Sequence, residues 1–247
     1  MDFKAILLDT RSIQQYIFSG NQLKTNIGAS YLVENLFADA LIRAVEEVCG
    51  AGSIDEETWL KVAEPDWESM DTACRVGYIG GGNALLLFRP EIETQKLRDV
   101  VSTFTKIALV EYPGLKTGAA IGNISLDKNG NFLGNADGKT GLDLLHEELK
   151  NAQNTVFPEV SLPYTGLTLS CASNGETANV YDKEDNRFYS WEIEMKILAD
   201  RKTAEREAPA EKELLDKLRS VVAEEDRDDY LRGWAFPMKF DELGQKE

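Results

Sequence analysis

The sequence predicts an α+β protein with a ferredoxin-like βαββαβ arrangement, an antiparallel sheet with helices on one face. Three observations support this class. They are an early apolar run that ends in an acid, two apolar segments joined by a glycine-rich turn, and a long amphipathic segment on each side of that pair. We assign this unit to residues 1–136. Residues 137–247 form a mostly helical extension with a turn-rich insert at about 160–185.

The first predicted strand covers residues 4–9, a continuous apolar run typical of a buried central strand, and ends at Asp9. A short helix is expected over 12–18. A long helix is expected over 28–48, where apolar residues follow the helical period and a Cys-Gly pair provides the stop.

A β-hairpin is predicted over residues 76–88, with its turn at Gly80-Gly81-Gly82-Asn83. A second long helix over 91–110 follows a proline, and a fourth strand covers 116–126. The resulting order of strands and helices is the basis for the ferredoxin-like assignment.

The extension shows weaker patterns. A helix is expected over 138–156, a small hairpin within 162–182, and mostly helical structure over 190–222 with a break at Pro209. The last stretch, 231–247, is rich in large apolar residues, which suggests that it docks on a core or leads into a further segment of a longer chain.

Charge and cysteine content exclude several functions. The formal net charge of −16 argues against direct nucleic-acid binding and against an anionic membrane surface, since both need clustered cations. The three cysteines form no C-x-x-C pair, so we expect neither a zinc site nor a disulfide framework. No window is long and apolar enough for a membrane span, and the chain has no signal peptide pattern. We predict a cytoplasmic protein.

An acid at the end of the first strand, beside a tight turn between the next two strands, suggests nucleotidyl transfer. That chemistry uses two divalent cations, and Mg²⁺ or Mn²⁺ prefers carboxylate, phosphate and water oxygens. Asp9, followed by Thr10, is placed for such a role, and the glycines would let the backbone approach a nucleotide. The turn has no carboxylate, so a complete two-metal centre is not expected, and Asp9 is the one metal-ligand candidate.

Lys24 and the segment Gly28-Ala29-Ser30 are candidates for phosphate binding, because the N–H groups at a helix start suit an anion. Ordinary capping by Asn26 or Gly28 is the alternative.

Simpler structural explanations exist for several of these candidate residues. Asp9 is also a favoured helix cap, and Gly and Asn are the preferred residues of a plain hairpin turn. His146 is expected to be a surface or packing residue. Trp59 and Trp67 could stack on bases, although packing is commoner.

Several segments together resemble a known family. "DTRSIQQYIF" (9–18), "LKTNIGAS" (23–30) and "YIGGGNALLLF" (78–88) resemble the first palm domain of the large, polymerase/cyclase-like subunit of type III CRISPR effector complexes. Related palms occur in GGDEF-type diguanylate cyclases. "LLHEELKNA" (144–152), "CASNGETANV" (171–180) and "FPMKFDELG" (236–244) resemble later segments of the same family, in the same order.

The resemblance implies a palm that pairs with a second one, in cis or in trans, among the other effector subunits. In that family one palm carries an intact Gly-Gly-Asp-Asp turn and makes cyclic oligoadenylates from ATP, while the other is commonly degenerate. This chain resembles the degenerate palm, because Gly82 and Asn83 replace the acids. The lone Cys171 does not reproduce the family's zinc motif, and we expect no nuclease domain before Met1, so neither property is carried over.

Three functions remain open from the sequence. The first is an ATP-binding or scaffolding half of a composite synthase, in which Asp9, Lys24 and Gly28–Ser30 hold phosphate or metal. The second is a purely structural protein–protein interaction module. The third is a free-standing nucleotide cyclase that uses Asp9 and other acids.

Overall fold

A five-stranded mixed sheet with helices packed against it forms the centre of the protein. The computed structural model describes residues 1–56, 70–155 and 166–203. Within these ranges the chain is a mixed α+β fold, as the sequence predicts. Trp59, Trp67, Pro209 and the apolar stretch 231–247 lie outside the described residues.

The strands of the main sheet have the spatial order β2-β3-β4-β1-β5. Their bounds are β1 (Asp2–Arg11), β2 (Ile54–Asp55), β3 (Cys74–Gly80), β4 (Asn83–Phe88) and β5 (Lys116–Ser125). The β3–β4, β4–β1 and β1–β5 pairs are antiparallel, while β2 pairs with β3 in parallel.

The prediction of an antiparallel sheet is therefore wrong at the β2 edge. Strand β2 is only two residues long, too short for any periodicity to reveal it. It is held in place by an ion pair between Arg75 Nε and Asp55 Oδ2, 2.8 Å apart, with the Arg75 side chain almost wholly buried.

Helices and a small second hairpin complete the described structure. They are α1 (Ile13–Ile17), α2 (Leu23–Asn35), a π-helical segment (Leu36–Leu41), α3 (Ile42–Cys49), α4 (Thr94–Glu111), α5 (Gly141–Thr155) and α6, helical over 191–203, with hairpin strands β6 (Val180–Asp182) and β7 (Arg187–Tyr189). None of the helices in the described ranges combines the length and apolar character needed to cross a bilayer.

Three helices begin away from their predicted starts, among them α5, which starts at Gly141 and not at residue 138. Helix α2 starts at Leu23, five residues early, because the backbone oxygen of Gln22 accepts hydrogen bonds from the Thr25 hydroxyl (2.6 Å) and the Asn26 amide (3.3 Å). Helix α4 starts later than predicted, at Thr94, after a turn in which the Ile92 amide donates to the Arg89 oxygen at 3.1 Å.

The small hairpin is also displaced from its predicted place. Strands β6 and β7 lie at 180–189, and the predicted stretch 162–182 contains an isolated bridge between Ser170 and Thr177. This stretch contains many turn-forming residues, so its sequence is compatible with several positions of the hairpin turn and several strand registers.

Both faces of the sheet are covered by helices. Ile6 and Leu8 of β1 belong to the core that α2, α3 and α4 complete, whereas Ala5 and Leu7 belong to a second core completed by α5. Helices α2, α3 and α4 therefore share one face, as expected for residues 1–136, and the opposite face is covered by α5 of the extension. A strand whose side chains are apolar on both sides must be covered on both sides.

Helix α6 docks on α1 and α2 through a buried lysine. Lys196 has no exposed surface, and its ammonium donates to the backbone oxygen of Tyr16 (2.8 Å), the Ser19 hydroxyl (2.7 Å) and Glu192 Oε1 (2.5 Å). The ammonium also lies 3.8 Å from the centre of the Tyr16 ring. Burial lowers the pKa of Lys196, and the hydrogen bond to Glu192 opposes that shift.

Glycine at position 28 is required by the same contact. A Cβ atom built on Gly28 would lie 1.7 Å from the backbone oxygen of Lys196 and 2.9 Å from the amide nitrogen of Asp200. Helices α2 and α6 therefore touch backbone to backbone at this point.

We expect Gly28→Ala to lower the free energy of unfolding by about 1–3 kcal/mol, although alanine normally favours a helix by about 1 kcal/mol over glycine. Ser30→Ala, an exposed change in the same helix, is the matched control. Urea unfolding of both variants measures the difference. Equal stabilities would contradict the close helix contact.

The lysine network gives a second test of this docking. Lys196→Met should destabilise the protein by about 3–5 kcal/mol, because it leaves the largely buried Glu192 carboxylate without its cation. Adding Glu192→Leu to Lys196→Met should restore part of the loss. A double-mutant cycle by thermal unfolding measures the coupling, and additive effects would show that the pair does not interact.

Candidate functional site

Asp9 lies near the carboxyl end of β1, between two partner strands. Its register partners are Asn83 on β4 and Gly118 on β5. Directly paired residues share a face of the sheet, so the carboxylate and the Asn83 amide are on the same side. The predicted proximity of the first-strand acid to the hairpin is therefore present.

The glycine-rich segment forms a two-residue hairpin turn. Gly81 and Gly82 have φ angles of 62° and 83°, and Gly80 pairs with Asn83 across the turn. Two consecutive positive φ angles are the mark of a type I′ turn, which matches the twist of the flanking strands. The Thr10 amide donates to the Gly82 oxygen at 2.8 Å, which ties the turn to β1.

The two turn glycines have different surroundings. A Cβ on Gly82 would lie 2.2 Å from Ile13 Cδ1, whereas a Cβ on Gly81 would meet no atom within 4 Å. Gly82 is thus needed for packing against the start of α1. Gly81 faces open space.

Helix α5 reaches the Asp9 carboxylate. Gln153 Nε2 donates to Asp9 Oδ2 at 2.9 Å. The approach depends on Gly118, since a Cβ there would lie 3.0 Å from Gln153 Nε2. Burial, and secondly the charge of Asp9, raises the pKa of Tyr78 on β3, the strand beyond β4.

Sequence reasoning did not identify Gln153, Gly118 or Tyr78 as neighbours of Asp9. The glycine inside β5 was a usable signal, because an isolated strand glycine often marks a close approach.

Thr10 points to the opposite face of the sheet from Asp9. It is 5% exposed, and its hydroxyl has no hydrogen-bond partner among the described residues. Adjacent strand residues alternate between faces, so Asp9 and Thr10 do not line one surface.

Lys24 and the segment Gly28–Ser30, predicted to bind phosphate, make contacts within the protein instead. Lys24 forms an ion pair with Asp185 in the β6–β7 turn, and this hydrogen bond lowers the pKa of Asp185. Ala29 is fully buried, and the Ser30 hydroxyl donates to the backbone oxygen of Asn26 at 3.0 Å. The expectation that Gly28–Ser30 start a helix is wrong, because α2 starts at Leu23. The N–H groups of residues 28–30 lie past the first turn and donate hydrogen bonds within the helix, so they are not open to a phosphate.

No group of three or more His, Cys, Asp or Glu side chains in the described ranges is arranged to hold a metal ion. His146 is exposed on α5, as predicted. No protein-family model and no curated protein matches the chain, so the site is interpreted from its own geometry.

The turn glycines can be tested separately. Gly82→Ala should cost about 1–3 kcal/mol of stability, because alanine disfavours positive φ and its methyl group would collide with Ile13. Gly81→Asn should be neutral or slightly stabilising, since Asn-Gly is the preferred type I′ pair. Thermal unfolding of both variants checks this, and a Gly81→Asn loss as large as that of Gly82→Ala would contradict the turn type.

Proposed function

We propose that this chain is a degenerate nucleotidyl cyclase/polymerase-like palm, of the kind found in the large subunit of type III CRISPR effector complexes. It would act in the cytoplasm as the ATP-binding or scaffolding half of a composite cyclic-oligonucleotide synthase. The observation that carries the proposal is the placement of Asp9 beside Asn83, at the base of the Gly81-Gly82 turn.

The strand order supports a palm. Strands β3-β4-β1-β5 are antiparallel neighbours, with α2 and α3 between β1 and β3 in the chain and α4 between β4 and β5. A ferredoxin-like βαββαβ unit has the same chain order of strands and helices. Strand β2 would then be an addition to one edge.

Charge argues for binding rather than independent catalysis. Two divalent cations beside a polyphosphate need several carboxylates, and each pair of unit charges about 4 Å apart contributes roughly 4 kcal/mol at an effective dielectric constant of about 20. This corner provides Asp9 and the neutral amide of Asn83. A second palm would have to contribute the missing acids, and Asp9 would be this chain's ligand to Mg²⁺ or Mn²⁺ bound with the nucleotide.

A structural role is the second candidate, and three contacts favour it. Gln153 hydrogen-bonds the Asp9 carboxylate, Lys24 is paired with Asp185, and Gly28 packs on the backbone of Lys196. Each of these contacts uses a candidate nucleotide-binding residue to stabilise the fold.

Calorimetric titration of ATP with Mg²⁺ separates these functions. In the proposed function, Asp9→Ala weakens Mg-ATP binding about tenfold, since it removes a charged ligand. Asp2→Ala is the matched control, because Asp2 lies on the same strand at the opposite end and accepts a hydrogen bond from Ser125 at 2.6 Å.

Equal affinity in the two variants would count against the hairpin site. No measurable heat at millimolar ATP would favour the structural role. Omitting Mg²⁺ should reduce the difference between Asp9→Ala and the parent chain, because the carboxylate acts on the nucleotide through the metal.

A further inference from the structure

The outer edge of β5 has none of the usual features that prevent further strand pairing. Strand β5 is the last strand of the main sheet in the described ranges and pairs with β1 on one side. Natural sheet edges commonly carry charged residues, prolines or bulges. Residues 117–125 contain no charged residue and no proline, and the β1–β5 register runs without a shift. Such an edge is suited to accept an additional extended segment.

The hydrogen-bond pattern shows which backbone groups of β5 face outwards. Met1 and Leu126 exchange both backbone hydrogen bonds, at 2.7 and 2.8 Å, and bonded and non-bonded pairs alternate along an antiparallel ladder. The even-numbered residues of β5 therefore bond to β1, and the odd-numbered ones face outwards. The Leu133 amide donates to the Ser125 oxygen at 2.8 Å from that outer side, which agrees with this assignment.

The contact with Leu133 also sets the length of the open edge. It occupies the outer side at Ser125, so the open stretch is 117–123. Its outward residues are Thr117, Ala119, Ile121 and Asn123. No described residue makes a backbone hydrogen bond to their outward groups. Four amides and four carbonyls are therefore placed to pair with a segment of seven residues.

The two faces of the sheet leave different amounts of room beside this edge. On one face α5 lies close to the strand. A Cβ on Gly118 would lie 3.0 Å from Gln153 Nε2, and a Cβ on Gly122 would lie 3.0 Å from Leu145 Cδ2. An added strand would fit small side chains on this face.

The opposite face, towards α4, is less completely covered. Ala119 and Ile121 of β5 and Val101 of α4 are only partly buried against the main core. Val101 and Ala119 also line a cavity of about 580 Å³. An added strand would therefore find room and apolar contacts for large side chains on this face.

One segment of this chain has the complementary pattern. Residues 234–240, Trp-Ala-Phe-Pro-Met-Lys-Phe, have a large apolar side chain at every second position. That alternation is typical of a strand with one buried face. The segment has the same length as the open edge and lies outside the described residues. Residues 204–233, which connect it to α6, would span about 45 Å even as a continuous helix, so the edge is within reach.

We propose that residues 234–240 add to the outer edge of β5 as an antiparallel strand. The hydrogen-bonded pairs are Trp234–Asn123, Phe236–Ile121, Met238–Ala119 and Phe240–Thr117. Directly paired residues share a face of the sheet, so the four large side chains cover the α4 face. The smaller residues Ala235 and Pro237 lie on the α5 face.

Pro237 restricts the register of the added strand. Proline has no N–H group, so in a strand it is tolerated where its nitrogen faces away from the ladder. The proposed pairing satisfies this condition at Pro237. A shift by one residue would place Pro237 among the bonded residues and the large side chains on the crowded α5 face.

Charge supports the antiparallel direction. In this register Lys239 lies opposite Gly118, which in turn lies opposite Asp9 on β1. Lys239 and Asp9 then share a face, two strand spacings or about 10 Å apart, with no side chain on the glycine between them. The parallel direction would put Ala235 at this position. The strand pairing requires no nucleotide and is independent of the proposed function.

Amide hydrogen exchange of the full chain, measured by NMR, tests the pairing. The outward amides of 117, 119, 121 and 123 should be protected, like the inward amides of 118, 120 and 122. Phe236→Asp/Met238→Asp should accelerate exchange of the outward amides at least tenfold, because charged side chains do not pack on the α4 face. The inward amides, which bond to β1, should not change and show that the sheet is intact.

Gly244→Asp/Gln245→Asp is the matched control, since it adds the same charge outside the segment. It should leave both sets of amides unchanged. Equal acceleration in the two double variants would overturn the proposal. Outward amides that exchange in the parent chain as fast as those of an unstructured peptide would also overturn it. Neither result depends on ATP or metal binding, so this proposal and the proposed function fail separately.

Paired cysteines test the register in a Cys49→Ser background, which removes the one cysteine that is not buried. Asn123→Cys/Trp234→Cys should form an intrachain disulfide on oxidation with diamide, since bonded antiparallel partners have Cα atoms about 5.5 Å apart. Asn123→Cys/Ala235→Cys points the second thiol to the other face and should cross-link at least tenfold more slowly. Faster cross-linking of Asn123→Cys/Phe240→Cys would indicate a parallel strand, and a disulfide between two chains would assign the edge to a second copy. Either outcome would overturn the proposal.

Discussion

The rest of the structure depends on β1 being buried on both faces. Residues Ala5, Ile6, Leu7 and Leu8 are at most 1% exposed, and burying each of the larger side chains contributes roughly 1.5–3 kcal/mol. Satisfying both faces requires α2–α4 on one side and α5 on the other. This apolar run ends at Leu8, and Asp9 is the residue that follows it. Its position beside the hairpin turn is therefore a consequence of the core.

The contacts that complete the fold also occupy the candidate binding residues. Helix α5 covers the second face of β1, and its Gln153 reaches Asp9 as a result. Helix α6 inserts the Lys196 ammonium beside Tyr16, which brings the α6 backbone onto Gly28. A buried ammonium must be hydrogen-bonded to offset its lost hydration, so this docking is specific. A ligand at either place would have to compete with these contacts or add to them.

Local signals predicted the elements better than their arrangement. The hairpin, the four long strands and most of the helices follow from periodicity and turn residues, whereas the type I′ turn is known from the φ angles of Gly81 and Gly82. The Gln153–Asp9 and Lys24–Asp185 contacts join residues more than a hundred positions apart in the chain, which no local pattern encodes. The start of α2 was missed because its first-turn contacts involve Gln22, which is not a common cap.

The three glycines of the turn do not carry equal functional weight. Gly81 and Gly82 are explained by their positive φ angles, and Gly82 also by its contact with Ile13. Gly80 has no positive φ, and a Cβ there would meet nothing within 4 Å among the described residues. Glycine at a strand position costs stability relative to a residue with a side chain. Among the described residues, neither turn geometry nor packing requires glycine at position 80.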